Sequence, residues 1–152
     1  VNPDIQLPRW LSIAIEEIGV KEIPGPGDHP RIVEYHQATS LRALDDEVAW
    51  CAAYICWCFF KSNYKHTDSA RARSYLRWGV PIDHPALGCV AVLARAGGNQ
   101  PGPAVVNAQG HVGFFVGFAA GGDVRLLGGN QSNSVCVTPY PASRVLAFRW
   151  PA

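Results

Sequence analysis

The run Trp50-Cys51-Ala52-Ala53-Tyr54-Ile55-Cys56-Trp57-Cys58-Phe59-Phe60 constrains the fold more than any other part of the chain. It is apolar all round and has no period of two, so it reads as a helix buried on every side. It is too short for a membrane span, which needs about 20 residues. A buried helix needs elements to cover it, and the rest of the chain supplies them in two grammars. Before it, Pro8–Ile18 carries apolar residues at helical spacing and stops at Gly19, and Pro30–His36 reads as a short helix with proline in its first turn. After it, Ser69–Trp78 reads as a further helix closed by Gly79 and Pro81. Beyond Pro85 the chain turns into short β-rich runs parted by glycine, proline and asparagine: Gly88–Leu93, His111–Phe118, Val124–Leu127, Ser134–Val137 and Val145–Arg149. Helices first and antiparallel strands second predict an α+β domain.

Length and charge narrow the function classes. The 152 residues suit one domain, with 48% hydrophobic and 16% charged residues, enough to bury a core. A net charge of +1 offers no concentrated basic surface, so no nucleic acid and no membrane insertion are expected. No basic stretch followed by an apolar one opens the chain, so the expectation is synthesis in the cytoplasm without a signal peptide. The five cysteines are odd in number and read as reduced rather than as a disulfide framework. His29, His36, His66 and His84 are scattered and no HExxH or CxxC spacing occurs, so neither a metal nor a cofactor is expected.

Cys51 falls at the start of the buried helix, where unpaired N–H groups and the helix dipole favour a thiolate. Cys56 and Cys58 fall in the helix interior and read as packing. In the strand from His111, Val112, Phe114, Val116 and Phe118 share one face, and His111, Gly113, Phe115 and Gly117 the other. If Phe118 pairs near Val124 across the Ala119–Asp123 loop, His111 faces Gln131, or Asn130 with a one-residue shift. A carboxamide therefore belongs beside the imidazole, where its oxygen can fix the tautomer of the ring. Cysteine, histidine and carboxamide in that chain order suit nucleophile, base and orienter. Asp45-Asp46-Glu47 read either as an acidic first turn facing water or as a rim for a substrate amine.

These motifs resemble a known family. Glu47-Val48-Ala49-Trp50-Cys51-Ala52-Ala53-Tyr54 with Trp57-Cys58, then Gly110-His111-Val112-Gly113-Phe114, then Leu127-Gly128-Gly129-Asn130-Gln131 are similar to the CHAP and NlpC-type cysteine peptidases and amidases. The likeness is to a phage and prophage branch that cuts bacterial peptidoglycan. Glu22-Ile23-Pro24-Gly25 and Ser143–Trp150 share it, and Val48-Ala49 departs from it, standing where a Thr-Pro-like pair is expected. The resemblance implies a minimal papain-like fold over 1–152, a single catalytic domain with no separate wall-binding domain. It implies Cys51 as nucleophile, His111 as general base and acid, and Asn130 as the orienting residue. Trp50, Asp46, Glu47 and Gln131 are then expected to meet the substrate, and the Cys51 N–H to hold the oxyanion. The expected activity is hydrolysis of a stem-peptide amide by a monomer acting at the bacterial wall, as an endolysin. The alternatives are an interbacterial toxin of the same chemistry, with an immunity protein as partner, and an inactive peptidoglycan-binding module.

Overall fold

The computed structural model describes residues 6–44 and 49–152. Three α-helices come first: α1 (Arg9–Glu16), α2 (Pro30–His36) and α3 (Cys51–Lys61). Six strands follow: β1 (Val80–Ile82), β2 (Val90–Ala94), β3 (Gly110–Phe118), β4 (Val124–Gln131), β5 (Ser134–Tyr140) and β6 (Val145–Trp150). They form one antiparallel sheet in the order β1-β6-β2-β3-β4-β5. The protein is thus a mixed α+β domain.

Helix α3 is the pivot. Its residues Cys51–Phe59 are all buried, as its apolar circumference demands, and it packs on β3 and β4, with α1 and α2 on its other sides. Val112, Phe114 and Leu127 face it from the sheet. The opposite sheet face carries Cys89, Ala91, Leu93, Phe115 and Leu126, which form a second cluster with Phe148 and Tyr140 against it. Polar tips of the core aromatics find partners: the Trp10 indole donates to Gly88 O at 2.8 Å and the Tyr54 hydroxyl to Ala14 O at 2.8 Å.

Two expected elements differ. The helix expected over Ser69–Trp78 is a short 3₁₀ helix, Ala72–Arg77. Within it Arg73 is fully buried, and its guanidinium donates to the carbonyls of Pro101, Gly102, Val105 and Gln109. Position 73 therefore serves the loop before β3. The strand expected over Val124–Leu127 runs on to Gln131. Its glycines are needed there. A Cβ on Gly129 would lie 2.7 Å from the Trp50 ring, and one on Gly128 would lie 2.7 Å from Gln131 Oε1. Side chains from elsewhere already fill both places. No helix among the described residues is long and apolar enough to cross a membrane.

Candidate active site

Cys51 is the first residue of α3, after Trp50, whose extended φ of −129° begins the helix without a side-chain cap. The N–H groups of the first turn are thus not spent on a capping side chain. The cysteine is 8% exposed, and its thiol opens on a cavity of about 360 Å³. His111, Asn130, Tyr140, Arg95 and Arg144 line the same cavity. A second lobe of about 360 Å³, lined by Arg71 and by Asn107–Gly110, shares Ala49, Cys51, Arg95 and Gly110 with the first. The thiol therefore lies at the junction of a two-lobed cleft.

The electrostatics correct one expectation. Burial pushes the Cys51 thiol up, more than the backbone N–H groups of Val112, Ala52 and Cys51 and the charge of Arg95 bring it down. Desolvation holds His111 below the ordinary imidazole range; Gln131 works against that shift, and Arg144 and Arg95 add to it. Both shifts favour the neutral forms.

The histidine is held through one nitrogen. His111 Nε2 lies 2.9 Å from Gln131 Oε1 and 3.2 Å from the Tyr140 hydroxyl, which itself donates to Gln131 Oε1 at 3.1 Å. The orientation of the Gln131 amide is determined by its other end. Its Nε2 donates to Cys136 O at 2.6 Å and to Leu126 O at 3.2 Å, and carbonyls can only accept. Oε1 must then face the ring, Nε2 of His111 must carry the proton, and Nδ1 is left as the basic nitrogen.

The carboxamide against the ring is thus Gln131 rather than Asn130. Asn130 adopts a left-handed φ of +55°, and the β4–β5 register slips between Gly128 and Gln131. Strict alternation puts Asn130 on the face of Gly128; the bulge returns Gln131 to that face instead. Asn130 lines the cavity without a hydrogen bond to His111. Gln131 itself is only 3% exposed, so it supports the histidine from behind.

Trp50 is fully buried, donates to Glu22 Oε1 at 2.8 Å and lies under Gly129, so it forms the foundation of the cleft and not its wall. Asp46 and Glu47 lie outside the described residues. Sequence reasoning missed Tyr140, Arg95 and Arg144. Tyr140 shares a strand face with Cys136 and Thr138, a pattern visible in the sequence. Its approach to His111 is a contact between strands that are not neighbours in the sheet, which no local pattern records. The five cysteines are all free thiols. Among the described residues no cluster of histidine, cysteine and carboxylates could hold a metal ion. No protein-family model, no curated protein and no solved structure matches the chain.

Proposed function

We propose that the protein is a cysteine peptidase or amidase that hydrolyses an amide bond of the peptidoglycan stem peptide, with a papain-like arrangement of nucleophile helix and sheet. The observation that carries the reading is the Gln131–His111 contact of 2.9 Å beside a cysteine at a helix start. The motif resemblance supplies the substrate class.

In the first step Cys51 Sγ attacks the amide carbon while His111 Nδ1 takes the thiol proton. The Cys51 N–H, in the uncapped first turn, donates to the oxygen that becomes negative. The tetrahedral intermediate collapses with cleavage of the C–N bond, and the imidazolium gives its proton to the leaving amine. Water then adds to the thioester as His111 removes its proton. Cleavage of the C–S bond releases the acid and restores the thiol. Gln131 stabilises the imidazolium of both steps and keeps Nδ1 forward; in this reading it takes the orienting role expected of Asn130. Because both shifts run toward the neutral forms, proton transfer accompanies the attack in this reading.

Digestion of purified walls followed by mass spectrometry tests the reading. Wild-type protein should release fragments with one new amine and one new carboxyl group, and Cys51→Ala should release none. Intact walls after wild-type treatment, or lysis retained in Cys51→Ala, would overturn it. The masses also identify the bond.

A further inference from the structure

Among the described residues, the charged side chains that line the cleft are arginines. Arg95 directly follows β2, and Arg144 donates from Nε to Ala94 O at 3.0 Å, so both residues are placed at the end of that strand and line one cavity. The Arg144 guanidinium carbon also lies over the Tyr140 ring, 5.2 Å from its centroid. Arg95 is exposed. Neither forms an ion pair among the described residues; both ion pairs found there belong to Arg31. No described carboxylate lines either lobe. Two arginines lining one cavity, with no carboxylate among its described residues, favour an anion there. A carboxylate matches a guanidinium fork in plane and in charge. Both arginines also bear electrostatically on His111, so a group held between them lies close to the reacting atoms.

We infer that Arg95 and Arg144 form a subsite for a free carboxylate of the substrate, next to the amide that is cut. The inference rests on the proposed amide hydrolysis and adds its specificity. A stem peptide carries carboxylates on side branches and at its end, and the same fork would take any of them. The enzyme thus discriminates between stems with free and with amidated carboxylates.

The test uses soluble stem-peptide fragments, with each carboxylate converted in turn to its primary amide, and wild-type protein beside Arg95→Gln. Arg95 makes no hydrogen bond among the described residues, so its replacement spares the fold, and an unchanged melting temperature checks that. Amidation at one position should lower wild-type kcat/KM about 10- to 100-fold, and that position identifies the carboxylate. Arg95→Gln should lose about the same factor on the free acid and little on that amide. Arg144→Lys, which keeps the charge and loses the fork, should fall between them. Equal wild-type rates on all fragments, or an equal loss on acid and amide in Arg95→Gln, would overturn the subsite and leave the hydrolase reading standing. No hydrolysis of any fragment would overturn both.

Discussion

Helix α3 has a hollow at each end, and the one past its C-terminal half is nearly equal in size to either lobe of the cleft. The hollow past its C-terminal half, about 380 Å³, is lined by Trp57, Phe60, Lys61, Glu34, His66 and Asp68. It is the more apolar, and its Glu34, Trp57 and Lys61 are already engaged with one another or with Arg31. Glu34 pairs with Arg31 at 2.9 Å and accepts from the Trp57 indole at 2.7 Å, while Arg31 and Lys61 lie over the Trp57 ring. The cleft at the N-terminal end keeps a thiol, a basic imidazole nitrogen and two arginines whose charges are unmatched among the described residues. Apolarity favours the other hollow; the thiol, the imidazole and the two arginines mark out the cleft.

The largest effect that would break this contrast lies within α3 itself. Cys51→Ala should cut wall hydrolysis by at least about 1000-fold with the fold intact, measured by turbidity and circular dichroism. Cys58→Ala should leave the rate unchanged and cost about 1–2 kcal/mol of stability in denaturant titration, because Cys58 is fully buried. Equal losses of activity would erase the difference between the helix start and its interior.

Next in size is the choice of carboxamide. Gln131→Ala should lower kcat about 10- to 100-fold. Asn130→Gly, which tolerates the left-handed backbone, should lower it about threefold or less. The reverse order would return the orienting role to Asn130.

The pH profile gives a smaller, directional effect. Desolvation, with the arginines, holds His111 low, so the acid limb of kcat/KM should lie below 6.5. The Gln131 hydrogen bond raises His111, so in Gln131→Ala the limb should move to still lower pH. An upward move would contradict the support that Gln131 gives the imidazolium. Smallest of all, Phe60→Ser at the other hollow, where Phe60 is 60% exposed, should change the rate by less than about twofold.

How legible the molecule was depends on whether a local rule governed each part. Helix α2 occurs as Pro30–His36, the expected bounds, because a proline at a first turn is a local signal. Phe118 pairs with Val124 as the register expected, because a short loop joins them. The site between β3 and β4 was legible only to within one residue. A slip lies between Phe115 and Gly117, and another between Gly128 and Gln131. The first moves the residue opposite His111 toward Asn130, and the second brings Gln131 back. Neither bulge has a reliable signal in one sequence. Gly128-Gly129 argue against a strand by propensity, and the reason they are tolerated, Trp50 and Gln131 occupying their places, is tertiary. The arginines were invisible for the same reason: Arg95 and Arg144 meet only through the pairing of β2 with β6.

Arg73 has a consequence for how the cleft keeps its width. The segment around Asn107–Gln109 that walls the second lobe has no ladder of its own, and its neighbouring carbonyls end on one interior guanidinium. A guanidinium stays protonated at any pH at which the protein is folded. The wall is therefore a surface loop tied to the core: acidification that protonates His111 leaves the charge of Arg73 unchanged, and with it the hydrogen bonds that hold this wall.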